Sequence, residues 1–229
     1  MDSKTLHTQI IRWGASLVGF AGLEGVPLRQ KTSLIHGVAI AVRLSDTIID
    51  EIRSGPTAAY AAHYRATNQR LDAIATKTTT WLLAKGYRAV PIPASQTVDQ
   101  TRQEGRISHK KIATRAGLGW IGKNALLVTP QHGPRMRLVS VLTNAPLEPA
   151  EPITASKCGD CSICVDACPV GALTGKTWTP ETSRADLLDV ASCHQLTEKN
   201  KSTFGAPVCG ICFSVCPFGR TTESSPRPG

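Results

Sequence analysis

Eight cysteines lie between Lys157 and Arg220, and the other residues of the 229 include none. They form the run Cys158-Gly-Asp-Cys161-Ser-Ile-Cys164-Val-Asp-Ala-Cys168-Pro169, a lone Cys193, and the run Cys209-Gly-Ile-Cys212-Phe-Ser-Val-Cys216-Pro217. Thiolates at such short intervals are soft ligands for iron. The first run has the spacing with which bacterial ferredoxins give three thiolates to one [4Fe–4S] cluster and the fourth to another. The second run ends in the same way, but Ala206 stands where its first Cys would fall, and Cys193 is the Cys left to replace it. The pattern assigns Cys158, Cys161, Cys164 and Cys216 to one cluster, and Cys168, Cys193, Cys209 and Cys212 to a second. Two intervening residues let a turn of chain wrap one face of the cube with its amide N–H groups toward the sulfurs. Pro169 and Pro217, with fixed φ and no N–H, set the exit of each run. Crossed ligation of this kind puts two clusters side by side, within reach of electron hopping.

Other uses of eight cysteines fit less well. Zinc could take Cys161 and Cys164 with Cys209 and Cys212 as a ribbon, but Cys158, Cys168, Cys193 and Cys216 would then lack a natural second site. A disulfide framework suits short secreted chains, and no secretory signal is recognised here. No run approaches the apolar length of a membrane span. A reducing, cytoplasmic setting is the expectation.

The elements that must carry these ligands come before them. Leu6, Ile10 and Ile11 recur at helical steps, and Leu17-Val-Gly-Phe-Ala reads as a short buried strand. Residues 35–44 read as a nearly continuous apolar strand, of the central kind. Asp46 to Ile52 is a short helical piece. A long helix is expected from about Tyr60 to Lys85, with Leu71, Ile74, Ala75, Thr78, Leu82 and Leu83 recurring at three- and four-residue steps and Gly86 as its cap. Strands are expected over Tyr87–Ile92, Ala125–Thr129 and Arg137–Thr143, with a helical stub over Ile112–Gly117. Helix and strand in alternation argue an α/β (α+β) layer structure. Pro-rich residues 144–154 read as a linker. The expected division is therefore an α/β domain at 1–150, a double-cluster domain at 151–220, and a disordered tail at 221–229.

Charge follows the same division. Residues 1–150 carry 19 Lys and Arg against 9 Asp and Glu, a balance of +10, and residues 151–229 carry 7 against 8, a balance of −1. Each oxidised cluster with its four thiolates adds about −2. The basic half faces an anionic partner, an anionic ligand, its own acidic neighbour, or water alone.

Just before the cysteines comes Ala116-Gly117-Leu-Gly119-Trp120-Ile-Gly122-Lys123-Asn124. Its glycines let backbone amides approach something closely, and Trp120 offers a flat apolar wall. It is no dinucleotide loop, because no strand precedes it and no acidic residue closes a βαβ unit. Nor does it have the Gly-Lys-Ser/Thr of a phosphate-binding loop.

This loop together with the split cysteine pattern resembles the epoxyqueuosine reductase family, cobalamin-dependent tRNA-modifying enzymes that share their core with reductive dehalogenases. The cysteines match at every position, the isolated Cys193 included, and the weaker likeness runs over about residues 5–220. The resemblance implies a nitroreductase-like, cobalamin-binding-type domain followed by a bacterial-ferredoxin-like module with two [4Fe–4S] clusters. Electrons would run from an outside low-potential donor through the clusters to cobalt. By position, Gly117, Gly119, Trp120, Gly122, Lys123 and Asn124 would lie against the corrin, or else the glycines serve packing alone. The family's proton-donating Asp is expected in the stretch before Arg115. That stretch reads Thr101-Arg-Gln-Glu-Gly-Arg106, so Glu104 is the nearest acid, as proton donor or as a solvated side chain. His109 could ligate cobalt or shuttle protons, or be structural. The chain ends soon after the clusters, without the helical-repeat extension that the resemblance leads one to expect.

Three functions follow as expectations. The first is an oxidoreductase passing single electrons to a bound cobalamin or to the corrinoid of a partner protein. The second is a ferredoxin-like electron-transfer protein without cobalamin, its basic face steering an acidic partner. The third is epoxyqueuosine reduction on tRNA.

Overall fold

The computed structural model describes residues 2–24, 26, 33–99, 103 and 105–219. In chain order the elements are α1 (Ser3–Arg12), β1 (Leu17–Gly22), β2 (His36–Arg43), α2 (Asp46–Asp50), α3 (Ala58–Ala84), β3 (Ala89–Ile92) and α4 (His109–Arg115). There follow β4 (Trp120–Ile121), β5 (Leu127–Val128), β6 (Met136–Thr143), α5 (Ile163–Asp166), α6 (Arg184–Leu187), α7 (Val190–Phe204) and α8 (Ile211–Ser214). The mixed α/β class expected from the periodicities is the one observed. Among the described residues no helix is long and apolar enough to cross a membrane.

The chain divides into two compact units that do not follow a cut near residue 150. The first comprises residues up to Arg43, Thr67–Leu118 and Arg137–Ile153; the second comprises Leu44–Ala66, Gly119–Met136 and the chain from Thr154 on. The tail expected at 221–229 lies outside the described residues.

In the first unit, β1, β2, β6 and β3 form one sheet in that order. β1 and β2 run antiparallel with Leu17 opposite Ala41, and β3 and β6 antiparallel with Ala89 opposite Thr143. β2 is buried along nearly its whole length, as its unbroken apolar run requires. One apolar core joins Leu6 and Ile10 of α1, Val38, Ile40 and Val42 of β2, Leu71, Ile74 and Leu82 of α3, and Val139 and Val141 of β6. Thr78 and Thr79 also face inward on α3. Their hydroxyls donate to the carbonyls of Ile74 and Ala75, so neither is buried unpaired. Gly86, at φ +83°, takes the chain out of α3 in the left-handed conformation that glycine tolerates best. The Pro-rich stretch read as a linker is instead tied to this unit. The amides of Glu148, Ala150 and Ile153 donate to Ser3 Oγ and to the carbonyls of Phe20 and Thr114.

The second unit explains why the cysteine segment does not stand by itself. So short a segment, rich in cysteine and turn residues, has little apolar volume of its own. Its core is completed by Leu44, Ile49, Ile52, Tyr60 and Ala61, which pack with Ala206, Val208 and Phe213. Tyr60 meets Phe213 with ring centroids 6.0 Å apart, and Tyr64 edge-on at 6.5 Å.

Candidate metal centre

Each cysteine run folds as tight turns that end in a single turn of helix. Cys161 N–H donates to the carbonyl of Cys158 across Gly159, at φ +52°. Ser162 then starts α5, which carries Cys164, and Cys168 N–H bonds the Val165 carbonyl as the chain leaves. The second run repeats the arrangement. Gly210, at φ +91°, starts α8, which carries Cys212, and Cys216 follows one turn later. Cys193 sits on α7, whose start is capped by Asp189 accepting from the amides of Ala191 and Ser192. α7 ends at Gly205 in the left-handed region.

These turns gather the thiols into groups that cross between the runs. Cys158, Cys161, Cys164 and Cys216 line one small cavity, together with Lys123, Asn124, Val128, Pro217 and Phe218. Cys168 and Cys209 are the thiols whose charges bear on Cys193, and Cys212 feels Cys209, then Cys164 of the first group, then Cys193 and Cys168. Backbone amides serve the sulfurs: Ala172 N–H donates to Cys168 Sγ at 3.3 Å. The nearby amides of Cys164 and Val165 act to lower the pKa of Cys164, those of Ile211 and Gly210 that of Cys209, and that of Phe218 that of Cys216. Burial, followed by the neighbouring thiols, pushes Cys164 up to about 11. Burial also pushes Cys216 up to about 12, against the pull of the Phe218 amide and with the other thiols of its group adding to the rise. Cys212 is raised by burial and by its four thiol neighbours. So many thiols enclosed together favour the protonated form until a cation is present to hold them as thiolates.

Two features fix this frame. Arg135 is fully enclosed and donates to Asp46 Oδ1 at 3.1 Å, to Asp50 Oδ1 at 2.7 Å and to the Ser214 carbonyl at 3.3 Å, tying α2 to α8. The Arg135 hydrogen bond holds the Asp50 carboxyl below the usual range, with Arg53 adding to the effect. Gly210 is the second. A Cβ there would stand 2.5 Å from Ile52 Cδ1 and 3.2 Å from the rings of Phe213 and Tyr60, on a backbone that disfavours side chains. Gly210→Ala is accordingly expected to cost about 2–3 kcal/mol. It should also loosen the turn between Cys209 and Cys212, read as a lower urea midpoint and as iron lost on gel filtration.

Residues 157–219 match the 4Fe–4S double cluster binding domain. The epoxyqueuosine reductase of Listeria monocytogenes is 38% identical over 123 residues, which cover 51% of this chain and 31% of that protein. Over about half its length, this chain is similar in sequence to part of the epoxyqueuosine reductases. It spans about a third of the length of the curated relatives it matches, 31% and 33% for two of them. A solved epoxyqueuosine reductase with an epoxyqueuosine-modified tRNA stem loop matches 94% of this chain and 64% of its own, with TM-score 0.60 and 23% identity. A catabolic reductive dehalogenase in complex with 3-bromo-4-hydroxybenzoic acid matches 95% of this chain and 32% of its own, with TM-score 0.75 and 19% identity. At those identities the two structures speak for a shared fold.

The other residues singled out by the epoxyqueuosine reductase resemblance fall in different places. Gly117 and Leu118 belong to the first unit, and Gly119 to Asn124 to the second. There the loop is a tight hairpin, with Trp120 opposite Val128 and Ile121 opposite Leu127. A Cβ on Gly119 would meet the Val128 carbonyl, and one on Gly122 would stand 2.7 Å from Val128 Cγ2. The close approach for which these two glycines are needed is thus the hairpin's own second strand. Trp120 is 1% exposed and packs edge-on against Phe218 at 5.1 Å, so it is a core residue rather than an open wall. Lys123 and Asn124 line the cavity of the four thiols. Glu104 lies outside the described residues. His109 opens α4, and Nε2 lies 3.1 Å from the Pro93 carbonyl, which can only accept. Nε2 therefore carries the proton, and Nδ1 accepts from the Ser140 hydroxyl at 2.9 Å. Burial lowers the His109 pKa, and both ring nitrogens are engaged within the fold. Sequence reasoning passed over Arg135 and Phe218. The signal for Arg135 was the Asp46 and Asp50 pair, one turn apart on one face of a short helix.

Proposed function

We propose that this chain is an iron–sulfur oxidoreductase that carries single low-potential electrons through two [4Fe–4S] clusters to a bound or partner corrinoid. Its α/β part is of the nitroreductase-like, cobalamin-binding kind. The observation that supports this best is the crossing of the thiols. Cys216 shares a cavity with Cys158, Cys161 and Cys164, and Cys193, from outside both runs, feels Cys209 and Cys168, one from each run. Four thiolates per group is the ligand number of a cubane. The clusters, when bound, supply one-electron storage. The chain's own part is to hold the eight thiolates, aim amides at the sulfurs, and limit water with Phe218 and the Trp120 hairpin. Titration of the anaerobically prepared protein with cobalamin tests the acceptor. Shifted corrin absorption bands are expected, and unchanged bands with clusters intact would overturn it.

A second reading, electron transfer without cobalamin, draws on the hairpin. Gly119 and Gly122 are accounted for by Val128, and Trp120 is enclosed. It expects unchanged corrin bands together with salt-sensitive electron transfer to an acidic protein. Reduction of epoxyqueuosine on tRNA draws on the 38% identical relative, the solved complex with a modified stem loop, and the basic balance of residues 1–150. It expects queuosine to reappear in cells lacking their own enzyme, and continued absence would count against it.

A further inference from the structure

Asn124 is 4% exposed, yet only half of its amide is used by the fold. Its Oδ1 accepts from Leu126 N–H at 3.1 Å and stands 2.8 Å from where a Gly122 Cβ would be, so the oxygen is turned back into the hairpin. The assignment of O and N is settled by that contact, because a backbone N–H can be met only by the oxygen. Nδ2 is the end left over. It has no hydrogen-bond partner among the described residues, and Asn124 lines the cavity bounded by Cys158, Cys161, Cys164 and Cys216. Lys123, its half-buried neighbour, lines the same cavity.

We propose that Asn124 and Lys123 raise the reduction potential of the iron–sulfur centre held by Cys158, Cys161, Cys164 and Cys216. The inference rests on the two-cluster reading above. One-electron reduction adds a negative charge to a centre that already carries about −2, and hydrogen bonds to sulfur and nearby net charge are what set its potential. The Nδ2 donors and the Lys123 ammonium both favour the reduced form. Asp160 and Asp166 of the same ligand loop oppose them in sign, so the contribution of Asn124 and Lys123 is read from how far their replacement moves this one midpoint.

Asn124→Asp is the informative substitution, because it keeps an oxygen for Leu126 N–H while replacing the donors with an anion. Mediated redox titration of the full chain, followed by electron paramagnetic resonance, should show one midpoint lowered. The expected change is at least tenfold in the reduced fraction at fixed potential, about 59 mV for one electron. That midpoint should be the one that vanishes from a Cys158→Ala/Cys216→Ala protein, and the other should not move. Lys123→Gln, which breaks no hydrogen bond of the hairpin, should lower the same midpoint and answers the question if the Asp variant loads poorly. Both midpoints unchanged, or both moved equally, would overturn the tuning role. A wild-type chain that binds no iron and sulfide would instead overturn the two-cluster reading beneath it.

Discussion

Replacing Cys158 and Cys216 together by Ala is expected to leave one complete four-iron cluster and about half the iron, whereas replacing Cys158 and Cys168 together should leave no complete cluster. The expectation rests on which thiols share a site. Cys158 and Cys216 lie 58 positions apart in number but line one cavity. Cys168, ten positions from Cys158, does not line that cavity, and its charge bears on Cys193 with that of Cys209. Loss of two ligands empties one site and spares the other. Loss of one ligand from each leaves two sites with three thiolates, enough at best for an incomplete cluster. Ala is preferred to Ser because it offers no oxygen as a substitute ligand. Iron and sulfide per chain, with the low-temperature spectrum of the reduced protein, reads both variants. If each run served its own cluster the outcomes would be exchanged, so a complete cluster in Cys158→Ala/Cys168→Ala and none in the other would refute the crossed grouping.

The local turns of the cysteine runs were legible because spacing is a local code: two residues between thiols suit one turn, as at Cys158–Cys161 and at the start of α8 after Gly210. The long helix was legible for a similar reason, since Leu71, Ile74, Ala75 and Leu82 repeat at its own period and face the core, although Leu83, expected on the same face, is exposed. Long-range partnership has no such code. Nothing in the order of residues said that Leu44, Ile49, Ile52 and Tyr60 would complete the core around Val208 and Phe213 rather than join the strands before them. Gly119 shows the limit most clearly. A glycine between bulky neighbours reports that something comes too close for a Cβ, but not what, and here it is the Val128 carbonyl. Residues 144–154 misled in the opposite sense. Proline suggested a free linker, yet three amides of that stretch are tied to the first unit.

Replacing Asp46 and Asp50 together by Ala should destabilise the protein more than replacing the Arg135 they bind. Intuition favours the reverse, because Arg135 is the hub, with ion pairs of 3.1 and 2.7 Å and a further bond to the Ser214 carbonyl. The difference lies in what each substitution leaves behind. Arg135 has no exposed surface and cannot shed its proton, so without its carboxylates it becomes an enclosed charge with one carbonyl for company. Stranding a buried ion in that way costs about 3–5 kcal/mol. Asp46 and Asp50 have side chains 30% and 45% exposed. After Arg135→Met they turn to water, and the methionine fills much of the vacated space. The net cost should then be about 1–2 kcal/mol, since exposed carboxylates are well screened. Adding Arg135→Met to the double Ala variant should restore part of the lost stability, which a simple count of broken contacts does not allow. The helix tied by this network carries Cys212, so iron retention on dilution should follow the same order as the urea midpoints. If Arg135→Met proves the most damaging of the three, the tether between α2 and α8 outweighs the stranded charge, and the geometry of the Ser214 carbonyl becomes the feature that holds the second cysteine run in place.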